Sequence, residues 1–123
     1  MRPEIFLSIA VLFSVTGELL LKHGMNQLGV LELAPGLLVP ALARVFTNPF
    51  VLAGFASIFA GSVFWLSVIS RVQLSYAYPM LSTSYILVLL ASWVFLGEHI
   101  TWVRVLGVLV IIAGVSLVFR SGQ

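Results

Sequence analysis

Ser14, Glu18 and Lys22 stand four residues apart, and Glu18 follows an uncharged run from Ile5 to Gly17. At 3.6 residues per turn the three share one helix face. A carboxylate at mid-depth in hydrocarbon costs roughly 2.5 kcal/mol or more, so a chain that keeps one there either uses it or pairs it. In the first case Glu18 binds a proton or a polar substrate in a water-accessible chamber. In the second it pairs with Lys22 at i,i+4, in the favourable order, near the membrane surface. The small neighbours Ala10 and Gly17 permit close helix approach or leave a pocket, and with Ser14 they favour the chamber. Lys22 is a snorkelling anchor that would also accept a phosphate head group.

A second set of polar side chains lies downstream. Ser75, Tyr78, Ser82, Tyr85 and Ser92 recur at helical steps and form a hydroxyl-bearing stripe. Interhelical hydrogen bonds in lipid contribute only about 0.6 kcal/mol each, and the stripe carries more groups than packing needs. Tyr78, Ser82 and Tyr85 are therefore expected to face the chamber. Pro79 interrupts the stripe and lacks an N–H, so a kink or a late helix start is expected there and Pro79 is the candidate hinge. Glu98 and His99 read as a solvated turn after Gly97, and neither His23 nor His99 has companions at metal-ligand spacing.

These residues must be positioned by membrane helices. The chain has 123 residues, 61% hydrophobic and 8% charged, with a mean hydropathy of +1.18. So few charges cannot cover a soluble domain. Spans of roughly 20 apolar residues are expected at about 4–21, 50–69, 74–95 and 103–119, making residues 1–123 one all-α, four-helix transmembrane domain. The opening segment reads as a span rather than a cleaved leader, because no small-residue cleavage site follows and Glu18 breaks its apolar core. Between the first two spans, Leu37, Leu38, Ala41, Leu42, Val45 and Phe46 keep helical spacing among prolines and glycines, which predicts a short interfacial helix. Gly54, Ser57 and Gly61 form a small-residue contact stripe, and Gly107 and Gly114 share a face of the last span. Trp65 and Trp102 are expected as interface anchors, and Thr101 as the cap of the last helix.

Several function classes are excluded or disfavoured. There is no cysteine, so disulfides and thiolate metal sites are ruled out. No nucleophile–base pair, metal cluster or phosphate loop is present, so neither an enzyme nor a cofactor is expected. The basic residues are scattered singly, which argues against nucleic acid. Arg2, Arg71 and Arg120 fall on one side of the expected topology and Lys22, Arg44 and Arg104 on the other. That balance gives no positive-inside bias and suits an antiparallel pair of identical subunits.

Ala77-Tyr78-Pro79-Met80-Leu81-Ser82, Leu96-Gly97-Glu98 and Gly107 through Gly114-Val115, with Gly17-Glu18-Leu19 and Lys22, resemble the drug/metabolite transporter superfamily in its single-repeat, four-helix form (small multidrug resistance and EamA-like proteins). Within it the chain looks most like the small subunits of aminoarabinose-phosphoundecaprenol flippases. The resemblance implies a multi-pass protein of the bacterial inner membrane and a dimer, homodimeric or heterodimeric. Helices one to three would enclose a substrate chamber, with Gly107 and Gly114 at the dimer contact. Ser14 stands where the small multidrug resistance family carries its proton-coupling glutamate, and Glu18 lies one turn later on the same face. The expected activity is movement of a polyprenyl-phosphate-linked sugar, or a similar polar-headed lipid, by alternating access. The alternatives are proton-coupled export of cationic compounds and a non-transporting assembly subunit.

Overall fold

The structure, a computed structural model, describes residues 2–121. Pro3 opens α1 (Pro3–Leu28), at a position where its missing N–H has no intrahelical partner to lose. The helix has 26 residues, about 39 Å at 1.5 Å per residue, and so outreaches a hydrocarbon layer of about 30 Å. It continues past the expected end at Leu21 and stops at Gly29, whose φ of 85° turns the chain while its N–H donates to Met25 O.

The expected short helix is present as α2 (Leu38–Phe46). Only Val45 of it is buried, and Leu38, Leu42 and Phe46 remain exposed, as an apolar face turned toward lipid requires. Arg44 ties it back to α1 by donating to Leu28 O at 3.0 Å. Asn48 then starts α3 (Pro49–Ile69): its side-chain oxygen accepts from Phe50 N at 2.9 Å and Val51 N at 3.3 Å, and Pro49 fills the first helical position. The amide of Asn48 also donates to Gln27 Oε1 at 3.2 Å, linking the two helix ends.

α1 and α3 pack antiparallel along a seam of small residues. A Cβ built on Gly17 would lie 2.7 Å from Gly54 O, and one built on Gly54 would lie 2.7 Å from Gly17 O. The same closeness recurs at Gly24, against Val51 and Asn48, and at Gly61, against Phe13 and Ala10. Ala10, Gly17 and Gly24 on one helix, and Gly54, Gly61 and Val68 on the other, therefore recur every seven residues, the spacing that keeps a straight seam between two helices. Ser57 Oγ, from the predicted stripe, donates across the seam to Phe13 O at 3.0 Å. The largest fully buried side chains are Val51 and Val68, so this core is built by close backbone approach rather than by bulky filling.

The third span is α4 (Leu74–Leu81) followed by α5 (Ser84–Phe95). The helix runs through Pro79 and changes at Ser82–Thr83, one turn later. There ψ rises to −17° and −20°, and Thr83, Tyr85 and Ile86 donate to carbonyls three residues back. That is 3₁₀ geometry. Proline deletes one bond of the ladder, and the Thr83 hydroxyl takes another carbonyl by donating to Met80 O at 2.8 Å. The last span is α6 (Trp102–Ser121), with Thr101 Oγ1 accepting from Arg104 N at 3.2 Å as the expected cap.

Ring contacts identify the two ends of the bundle. Arg71 lies 4.8 Å over the Phe6 ring, and Tyr76 lies 6.5 Å from Phe119, so the start of α1, the α3–α4 link and the end of α6 share one end. His23 meets Phe50 edge-on at 4.5 Å, and Arg44 and Asn48 close the opposite end. Four helical segments are long and apolar enough to cross a membrane, α4 and α5 counting as one. Those four passes and the interfacial helix are the architecture expected from the sequence.

Candidate functional site

Gly17 is locked against Gly54, and this fixes the rotation of α1 about its own axis. Glu18, the next residue, is turned about 100° from it and so points away from α3. It lines a cavity of about 240 Å³ between α1 and α5, together with Lys22, Ser92 and Glu98. Leu19, Val88 and Leu96 supply the apolar part of the wall. At roughly 30 Å³ per water, the space equals about eight waters, the scale of one sugar ring.

Ser92 and Glu98 also line a second cavity, of about 340 Å³, between α5 and α6, whose other polar side chains are Tyr85 and Arg104. The end of α5 is thus a common wall. On its α1 side stand a carboxylate and an ammonium group; on its α6 side, a phenol and a guanidinium. Arg104 is held by donating from Nη1 to His99 O at 3.0 Å. Both cavities lie at the end of the bundle that carries Lys22, Arg44 and Arg104.

The expected site residues separate into groups. Glu18 and Lys22 share the first cavity, and among the described residues no ion pair or hydrogen bond joins them. Tyr85 faces the second cavity. Tyr78 packs edge-on against Trp65, the ring centroids 5.4 Å apart. Ser82 turns its hydroxyl to Tyr78 O at 3.4 Å, within its own helix. Ser14 sits half-buried beside the α1–α3 seam, its N 3.5 Å from a Cβ built on Gly61. None of Ser14, Tyr78 and Ser82 lines the cavity that holds Glu18. Gly107 lines the second cavity, and a Cβ on either Gly107 or Gly114 would meet nothing within 4 Å.

Glu98 adds to the sequence reading. It is half-exposed, and the turn that carries it folds back so that it also lines the cavity. The cause is local: Gly97, at φ 66°, reverses the chain so that Glu98 N–H donates to Ser92 O at 3.1 Å. The available signal was Ser92, the last member of the hydroxyl stripe, six residues before Glu98.

Comparison with known proteins agrees with this architecture. A probable 4-amino-4-deoxy-L-arabinose-phosphoundecaprenol flippase subunit ArnE from Aeromonas hydrophila is 40% identical over 70 residues, covering 57% of this chain and 61% of that protein. A protein of the same description from Yersinia pseudotuberculosis is 46% identical over 57 residues, covering 46% of this chain and 50% of that one. The chain thus spans about half to three-fifths of the length of the curated relatives it matches. No solved structure matches it. The model of the EamA-like transporter family matches residues 1–120, nearly the full length of the four-pass bundle, and the chain belongs to that family.

Proposed function

We propose that this protein is a subunit of a bacterial inner-membrane flippase that moves a polyprenyl-phosphate-linked sugar between leaflets. The observation that carries the reading is the cavity in which Glu18 and Lys22 meet at the flank of the bundle. A polar head group can enter it sideways while its hydrocarbon tail stays in lipid. The relatives named as flippase subunits support the substrate class. The bare face of α6, which buries no residue, supports a dimer, with Gly107 and Gly114 admitting a second chain closely.

In this reading Glu18 binds the head group, Lys22 takes its phosphate, and Tyr85 receives it on the far side of the wall. Ser14, Tyr78 and Ser82 contribute in the alternate state or across the dimer. Pro79 and the 3₁₀ turn that follows it are the hinge about which α5 swings between the two cavities.

The test is head-group accessibility in proteoliposomes carrying a fluorescent short-chain prenyl-phosphate sugar. Wild type moves the probe to the opposite leaflet, and Glu18→Gln slows this at least tenfold. Equal rates in the two proteins, with binding unchanged, would remove Glu18 from the mechanism. Acidification of vesicles by cationic drugs, lost in the same variant, would instead support a proton-coupled exporter.

A further inference from the structure

Neither the sequence pattern nor the relatives' names assign a role to the second carboxylate beside Glu18. Glu98 belongs to both cavities, and its backbone is clamped to Ser92 O at 3.1 Å behind the left-handed turn at Gly97. Ser92 is the buried polar residue among the described residues, with 7% of its surface exposed. Its hydroxyl makes no hydrogen bond among them, and its oxygen reaches the surface of the cavity. It opens on the space it shares with Glu98 and Glu18. The wall therefore presents a hydroxyl that can bond to whatever enters the cavity.

The charges define what completes it. The cavity holds two carboxylates and one ammonium group, an excess of one negative charge. Cationic side chains flank the carboxylates on both sides, Lys22 in the first cavity and Arg104 in the second. A ligand that fits carries an ammonium for the middle and an anionic group for either flank. An ammonium has three donors and no acceptor, which matches two carboxylates and a hydroxyl oxygen. A neutral hydroxyl in its place leaves one carboxylate without a counter-charge.

We propose that Glu98, together with Ser92, binds the head group, and that with Glu18 it selects a sugar bearing a primary amine over the same sugar bearing a hydroxyl. This rests on the flippase reading above. Because Glu98 and Ser92 belong to both cavities, the amine keeps a carboxylate partner while the head group passes from the α1 side of the wall to the α6 side.

The experiment measures binding to the full chain in lipid nanodiscs, by intrinsic tryptophan fluorescence. Three probes share one short prenyl phosphate and one pentose, which carries an amine, a hydroxyl or an N-acetyl group. Wild type is expected to bind the amine probe at least tenfold more tightly than the other two. Glu98→Gln is expected to lose that preference while keeping its affinity for the hydroxyl probe. Glu98→Asp should retain part of the preference, and Ser92→Ala should weaken the amine probe alone, by a smaller factor. Equal affinity of wild type for all three probes overturns the proposal and leaves the flippase reading standing. Binding of none of them overturns both. If Glu98→Gln does not fold, the three-probe series on wild type and the Ser92→Ala comparison still decide it. A Glu98→Gln variant that folds but weakens all probes equally overturns it as well, since that is the signature of a purely structural residue.

Discussion

Gly17→Ala tests the packing on which the position of Glu18 depends. The added Cβ would stand 2.7 Å from Gly54 O and 2.6 Å from Ile58 Cγ1. The isoleucine methylene can rotate aside, whereas the carbonyl belongs to a helix backbone and cannot. Restoring an ordinary contact of 3.4 Å moves the two helices apart by a good fraction of an ångström along the seam. Overpacking of this kind costs about 1–3 kcal/mol, and separation also strains the Ser57–Phe13 hydrogen bond, worth about 0.6 kcal/mol in lipid. Against this, alanine gains up to about 1 kcal/mol of helix propensity over glycine. Gly107→Ala isolates that term, because its Cβ meets nothing within 4 Å in the chain. The difference between the two variants is therefore expected at about 1–3 kcal/mol, with Gly17→Ala the less stable. Reversible unfolding of the monomer in mixed micelles, followed by circular dichroism, gives the comparison. If Gly17→Ala is as stable as Gly107→Ala, the close approach of α1 and α3 is wrong, and so is the account of what aims Glu18.

Two further outcomes follow from the same geometry. Asn48→Ala removes the cap from Phe50 N and Val51 N and the tie to Gln27, and should destabilise the fold by about 1 kcal/mol in the same unfolding assay. Replacing both Gly107 and Gly114 with leucine should not lower monomer stability, since a Cβ at either position meets nothing within 4 Å and leucine is the better helix former. It should shift dimer to monomer in cross-linking or single-molecule photobleaching, and unchanged dimer content places the contact elsewhere.

Much of the architecture was legible because the bilayer imposes it. Spans had to be apolar and about 20 residues long, and Thr101 before a long apolar run is a cap with few alternatives. The Gly54–Ser57–Gly61 stripe announced a close contact but not its partner. Glycine pairs as readily with another subunit as with a helix of its own chain, and the answer lay in Gly17, whose smallness allows either a close helix contact or a pocket. Site membership was the least legible. Tyr78 and Ser82 share a helical stripe with Tyr85, yet a stripe projected on an unbroken helix stops being one face once the 3₁₀ turn at Ser82–Thr83 changes the rotation per residue. Glu98 escaped for the opposite reason: a glycine-led turn reads as exposed loop, and only the return of its N–H to Ser92 O brings it to the cavity.

The distribution of packing is itself an argument about mechanism. The four glycines that meet across α1 and α3 make one stiff unit, and the residues that seal it are buried along its whole length, from Ala10 to Gly24 and from Val51 to Val68. α6 buries nothing, and α5 buries only Ser92. Motion is easiest where fewest contacts must break, so α5, which rests on α1, and α6, which rests on α4, should each move against a fixed α1–α3 frame. Glu18 and Lys22 ride on the frame, while Ser92 and Glu98 ride with the end of α5 and Arg104 with α6. Each excursion therefore changes the distance between the two carboxylates, and a site divided in this way can hold its ligand in one arrangement and release it in the other. A molecule with both carboxylates on the same rigid helix pair would have no such means of exchanging tight for loose binding.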